Sequence, residues 1–139
     1  MPNKRIVDFI KEHHLLTLAT SKENVPYCAN VFYIYDKKNN SLIFSSDIKT
    51  RHAQEFSENL NIAGAIALET KDVKKIQGVQ LIGEINELKD EGLEKANKQY
   101  LKAYPYAKKM TPHLWEMNLT FIKMTHNQLG FGKKLIWEK

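Results

Sequence analysis

The sequence predicts a mainly β protein with helices, of the α+β class, folded as a small closed or split β-barrel. Three observations carry that expectation. Seven short β-rich segments recur along the 139 residues, most of them set apart by hairpin-length turns. Three helical segments interrupt them, in the order helix, three strands, helix, two strands, helix, two strands. Strands and helices do not alternate regularly, which argues against a doubly wound parallel sheet. No internal repeat, low-complexity tract or Pro/Gly/Ser-rich linker divides the chain, so residues 1–139 read as a single domain. A chain of this length buries roughly two thirds of its unfolded surface and can hold a core without staples.

Each element has its own signal. Ile6, Phe9, Ile10 and His13 recur at helical spacing and predict a short amphipathic helix over 3–13. Leu15 to Thr20 reads as a strand, and Ser21 to Asn24 as a polar turn. Val25 to Tyr35 is a long strand rich in β-branched and aromatic residues. Asp36 to Ser41 has hairpin-loop composition, and Leu42 to Ser46 is the returning strand. Such short connections make these three strands antiparallel neighbours. Asp47 or Thr50 can cap a helix that places Ala53, Phe56 and Leu60 on one face. Ile62 to Glu69 and Ile76 to Leu88 read as strands. The second is interrupted by Gly78 and Gly83, where a bulge or a close backbone approach fits. Asp90 is the expected cap of a helix with Leu93, Ala96, Asn97, Tyr100, Leu101 and Tyr104 on one face, stopped by Pro105. Residues 106–113 read as short helical or irregular structure. Leu114 to Thr125 and Leu129 to Trp137 are the closing strands.

Composition narrows the function classes. Hydrophobic residues make up 42% and charged residues 27%, the balance of a globular chain rather than a disordered one. The single cysteine, Cys28, allows no intrachain disulfide. It sits in mid-strand among apolar neighbours, which predicts an inert buried thiol. The longest uncharged run, Asn24 to Tyr35, has twelve residues, too few to span a bilayer as a helix. The N-terminus lacks the apolar stretch of a signal peptide, so the expected setting is cytoplasmic, with no membrane partner. A net charge of +5 could attract an anionic partner. Yet the basic set is 19 lysines and only two arginines, Arg5 and Arg51, with the lysines scattered among acids. That pattern fits a solvated surface and argues against a nucleic-acid reader built on arginine forks.

Nucleotide P-loops, G-x-G-x-x-G, C-x-x-C, H-E-x-x-H and G-x-S-x-G are all absent, and no histidine pair has metal-ligand spacing. The informative segment is Phe44 to His52. A strand ends in Ser45 and Ser46, the chain turns, and a helix opens with Thr50, Arg51 and His52. Hydroxyls, backbone N–H groups and cations at a helix start make a phosphate site. Arg51 could grip a phosphate bidentately, with Ser45, Ser46 and Thr50 donating. A capped helix bearing one surface arginine is the plainer reading of the same residues.

Taken with the strand order, Phe44-Ser45-Ser46 and Thr50-Arg51-His52 resemble the pyridoxamine-phosphate-oxidase-like split barrels that bind FMN. In that family a strand ending in Phe-aromatic-Thr is followed, four residues after the Thr, by Ser-Arg-Lys at the flavin phosphate. Here Ser46 takes the Thr position, Thr50 the Ser, Arg51 the Arg and His52 the Lys. The preceding family strand lines the flavin edge and corresponds to Cys28 through Tyr33. The resemblance therefore implies FMN contacts from Asn30, Val31, Phe32, Tyr33, Ser45, Ser46, Thr50, Arg51 and His52. The tail from Leu129 to Trp137, together with Gln77 to Glu84, is similar to the YhbP-like branch of that family. Split barrels of this kind usually form homodimers with flavin held between subunits, and the same assembly is implied here.

The departures from the family are informative. The strand lysine that helps hold substrate in the oxidases falls at Tyr33. The glutamine that contacts the flavin ring falls at Gly78, with Gln77 one residue away as its candidate replacement. The C-terminal Arg-x-His substrate motif is missing, and a second helix-borne arginine has no counterpart. Pyridoxamine-phosphate oxidase activity is therefore not expected. The resemblance implies an FMN-dependent oxidoreductase of unknown small-molecule substrate, with no clear general acid or base. Two alternatives stand beside it. One is a non-catalytic flavin or haem-binding split barrel, for which His113 and His126 are the candidate axial ligands. The other is a basic small-barrel nucleic-acid binder.

Overall fold

The computed structural model describes residues 1–139. In chain order the elements are α1 (Lys4–Glu12), β1 (Leu15–Lys22), β2 (Val25–Asp36), β3 (Ser41–Ser45), α2 (Arg51–Glu58), β4 (Asn61–Ala67), β5 (Gln77–Glu87), α3 (Asp90–Ala103), β6 (Leu114–His126) and β7 (Lys134–Glu138). The order expected from the sequence holds throughout. Short 3-10 turns occupy Val73–Lys75, Pro105–Met110 and Asn127–Leu129.

The strands form one antiparallel sheet in the order β3-β2-β1-β4-β5-β6-β7. A further pairing of β3 with β6 closes six of them into a barrel. The long strand β6 makes both the closure and the split. Its first half, Leu114 to Asn118, pairs with β3. Its second half, Phe121 to Thr125, pairs with β7 along the same edge. Between the halves lies a register shift against β5 at Ile82/Gly83. A bulge there re-aims the strand, as bulges do at barrel rims. The glycine is required because a Cβ at position 83 would lie 2.4 Å from the Asn118 carbonyl oxygen.

The period-two alternation of the strands supplies the core. Leu16 and Leu18, Val31 and Tyr33, Leu42 and Phe44, Ile62 and Ile66, Val79 and Leu81 all point inward and are buried. Helix α1 adds Ile6, Phe9 and Ile10, and α2 adds Ala53 and Phe56. The Phe56 ring meets Trp115 edge-on at 4.8 Å. Helix α3 packs outside the barrel through a smaller cluster of Ala96 and Tyr100 against Ile43 and Leu114. No helix is long and apolar enough to cross a membrane.

Three local expectations are corrected. Cys28 is exposed rather than buried, because the parity of β2 turns Val31 and Tyr33 inward and Cys28, Asn30 and Phe32 outward. Asp90 is not the cap of α3. Lys89 holds that place without a side-chain bond, and Asp90 follows at a positive φ of 52° as an acid in the first turn. Leu60 lies beyond the end of α2 and is half exposed.

Candidate functional site

The loop between β3 and α2 is shaped by its own side chains. Thr50 caps α2, accepting from the Ala53 N–H at 3.3 Å while its hydroxyl donates to the Asp47 carbonyl at 2.7 Å. The Asp47 carboxylate accepts from the Lys49 N–H at 2.8 Å. Ser46 is held from the neighbouring segment. Its N–H donates to the His113 carbonyl at 3.0 Å, and its own carbonyl accepts from the Trp115 indole N–H at 2.9 Å. With its main chain fixed, Ser46 presents its Oγ 2.8 Å from Nε2 of His52. Burial lowers the His52 pKa below its usual 6.5, and nearby Glu55 acts in the opposite sense.

A second wall comes from β2 and α3. The Phe32 ring stacks on Tyr104 at 5.5 Å. The Tyr100 hydroxyl donates to the Phe32 carbonyl, and that of Tyr104 to the Tyr33 carbonyl. Burial raises both tyrosine pKa values, so each hydroxyl keeps its proton. The segment after α3 supplies the third wall, with Tyr106, Met110 and His113. The His113 ring lies parallel to Trp115 at 4.6 Å.

These walls enclose a cleft of about 710 Å³, within the usual range of small-molecule sites. It has two chemically distinct regions. Ser45, Ser46, Asp47, Thr50 and His52 form a polar end, while Phe32, Tyr104, Tyr106 and Met110 give an aromatic and apolar surface. Such an arrangement can take a planar ring system that carries an anionic group.

Seven of the ten residues singled out from the sequence line this cleft: Asn30, Val31, Phe32, Ser45, Ser46, Thr50 and His52. The other three do not. Tyr33 points into the core, where its hydroxyl donates to the Ile10 carbonyl at 2.6 Å. Arg51 faces away, with Nε bound to Glu55 at 2.8 Å and its guanidinium 4.0 Å over the Tyr27 ring. Gln77 begins β5 and donates to Gln128. Sequence reasoning missed the contribution of Tyr100, Tyr104 and Tyr106, and it weighed His113 only as a haem ligand. The two α3 tyrosines were visible only as one face of a helix, and 106–113 carried no pattern. Of the two histidines weighed as haem ligands, His113 lines the cleft. His126 is buried at the far end of β6.

Comparisons with known proteins agree with this architecture. The family model described as pyridoxamine 5'-phosphate oxidase matches residues 2–126. The UPF0306 protein YhbP of Salmonella paratyphi A is 40% identical over 129 residues, covering 93% of this chain and 88% of that protein. Among solved structures, a haem-binding protein from Mycobacterium smegmatis has a TM-score of 0.81 at 16% identity, covering 99% of this chain and 59% of the other. A FAD-binding protein from Mesorhizobium loti has a TM-score of 0.72 at 12% identity, covering 96% and 93%. At those identities the structural likeness is one of fold. The family-model match and the identity to YhbP together go further: the chain belongs to the pyridoxamine 5'-phosphate oxidase family of split barrels, in its UPF0306 (YhbP) branch.

Proposed function

We propose that this protein binds FMN in the cleft between β2, α2 and α3, works as a homodimer, and serves as a flavin-dependent oxidoreductase on a small molecule that is not pyridoxamine phosphate. The observation that carries the reading is the two-ended cleft. Its polar end gathers two serines, a helix-capping threonine and a histidine beside one carboxylate, Asp47, and its other walls are aromatic and apolar. The residues present fit the group. Phosphate oxygens can accept from Ser45, Ser46 and the N-terminus of α2. A planar ring can lie against Phe32 and Tyr104, a pair already stacked on each other. The Mesorhizobium protein of the same fold is FAD-binding, which favours a flavin here.

Bound flavin would supply the hydride and electron transfer. The chain's own residues bind and orient it. Tyr100 and Tyr104 fix β2 to α3 and so set the width of the cleft. Tyr33 stands where the family's oxidases carry a substrate lysine, and it points into the core. That supports a substrate other than pyridoxamine phosphate.

Homodimer assembly is supported by the outer face of the sheet. Leu15, Phe32 and Ile82 are exposed there; Leu15 pairs with Phe32 and Ile82 with Ala63, and Ala19 and Ala65 lie on the same face. Monomeric proteins seldom leave such a surface uncovered. Asn30 and Phe32 belong both to this face and to the cleft, so a partner subunit would complete the flavin site.

A second reading, haem, is favoured by His113 in the cleft and by the fold shared with the haem-binding Mycobacterium protein. The absorption spectrum of freshly purified protein separates the two, since flavin bands support the proposal and a Soret band supports haem. Titration then tests the phosphate end. A hydrogen bond to a charged group contributes about 1.5–3 kcal/mol, so FMN should bind at least about tenfold more tightly than riboflavin. Equal affinities in a fluorescence-quenching titration would overturn the FMN reading.

A further inference from the structure

We propose that the Ser46–His52 hydrogen bond is a proton-dependent latch on the anionic end of the cleft, so that a flavin phosphate is gripped when His52 is charged and loosened when it is neutral. This inference rests on the FMN reading and adds a mode of regulation to it.

The first observation is the charge of the cleft. None of its sixteen lining residues is lysine or arginine. The side chains there that can carry positive charge are His52 and His113, and Asp47 is negative. Arg51, the cation that the sequence offers for a phosphate, is bound to Glu55 and stacked over Tyr27 instead. A dianion in this cleft is therefore balanced by imidazole or left poorly balanced.

The second observation is the geometry of Ser46. Both of its main-chain groups are already bonded, so the hydroxyl is what it can offer a ligand. That hydroxyl lies 2.8 Å from His52 Nε2. The latch assigns the Nδ1–H tautomer to neutral His52. Its Nε2 lone pair then accepts the Ser46 proton, which cannot point into the cleft. Thr50, 3.4 Å from the same nitrogen, gives its own proton to the Asp47 carbonyl. A charged imidazole carries N–H on both nitrogens and can only donate. Ser46 must then accept, and its O–H is free to donate to a phosphate oxygen. One proton on His52 thus supplies both a charge and a hydrogen-bond donor.

Among the groups that face the cleft, His52 is the one in hydrogen-bond contact with the Ser46 hydroxyl. On its own helix, Glu55 is partnered by Arg51 and by Thr20. Asp47 stands in the loop ahead, His113 in the segment before β6, and Tyr100 and Tyr104 reach in from α3. Both tyrosines hold their protons through burial. Burial also favours the neutral form of His52 in the free protein, whereas a bound dianion favours the charged form. Binding should therefore take up a proton near neutrality, and affinity should rise as pH falls from about 8 to about 6.5. Below about pH 6 the flavin phosphate takes up a proton itself, so the test belongs above that value.

The experiment is calorimetric titration of the full chain with FMN and with riboflavin, in two buffers of different ionisation enthalpy. Affinities are measured at pH 6.5 and 8, and proton exchange at pH 7. A one-unit shift in the His52 pKa corresponds to tenfold in affinity. The expected preference for FMN over riboflavin is thus about three- to tenfold larger at pH 6.5 than at pH 8. FMN should bind with net proton uptake and riboflavin with none. His52→Gln keeps a donor but removes the titration. It should retain a preference for FMN that no longer varies with pH, without proton uptake, and its riboflavin affinity reports that the cleft is intact. A pH-independent preference in the unmodified protein, proton release instead of uptake, or full pH dependence in His52→Gln each overturns the latch while leaving FMN binding in place. Equal binding of FMN and riboflavin at both pH values removes the FMN reading, and the latch with it.

Discussion

Glu55 is a buried carboxylate on a short helix, and it is kept charged by two donors, Arg51 at 2.8 Å and the Thr20 hydroxyl at 2.9 Å. The Arg51 hydrogen bond, followed by that of Thr20, holds its pKa below the usual 4.5. A carboxyl whose folded pKa is depressed adds stability that is complete above the unfolded value and fades as pH falls through the folded one. Glu55→Gln should therefore be less stable than the unmodified protein at pH 7, with a narrower gap at pH 3. Urea denaturation at both pH values checks this, and a gap just as wide in acid would place the effect in packing rather than charge. The same contacts decide what Arg51 does. Its fork is directed at Glu55 and Tyr27, outside the cleft, while Ser46 and His52 face inward. At pH 6.5 Ser46→Ala should weaken FMN binding by about ten- to 150-fold, the equivalent of one charge-assisted hydrogen bond. Arg51→Ala should weaken it by less than about threefold. A larger loss from Arg51→Ala than from Ser46→Ala would mean that the guanidinium swings into the cleft when phosphate binds.

Strand β6 depends on a single small residue in its neighbour. At Gly83 a Cβ would meet the Asn118 carbonyl oxygen at 2.4 Å and the Met117 side chain at 3.0 Å. Backbone cannot yield as a flexible side chain does, so Gly83→Ala should cost about 1–3 kcal/mol by overpacking. A chemical denaturation midpoint unchanged by Gly83→Ala would show that the bulge relaxes freely. The sequence marked this glycine because it interrupts an otherwise regular strand, and local signals of that kind account for every element and for their order. They also placed Ser45, Ser46, Thr50 and His52 together, since a strand end, a turn and a helix start are contiguous in the chain. What could not be read locally was set by tertiary closure. The Trp115–Ser46 bond joins residues 69 apart, and His113 enters the cleft only because β6 returns beside β3. The exposure of Cys28 depends on which parity of β2 faces the core, and the apolar neighbours on both sides of it hid that choice.

At the scale of the whole molecule, the outer sheet face and the cleft share an edge, so a partner seated on that face would also bear on the cleft. Ile82 lies across from Ala63 on β4 and from Phe121 on β6, and is half exposed. Cys28 pairs with Ala19, and Phe32 with Leu15, on the same face. Small residues beside large ones allow close approach of a second sheet, and a two-fold axis would bring this surface onto its own copy. Sedimentation at micromolar concentration should therefore give about twice the 16.2 kDa chain mass. Lysine at position 82 sits at an already exposed site, so the barrel should still fold, but two copies would bury like charges against each other. Ile82→Lys should sediment as a folded monomer. It should also bind FMN at least about tenfold more weakly, because Asn30 and Phe32 would lose the surface that covers them. The pairing of the two effects is the point of the experiment. A folded Ile82→Lys monomer that keeps full FMN affinity would show that each cleft is complete within one chain, and the shared-site arrangement would then be wrong even if the unmodified protein is a dimer.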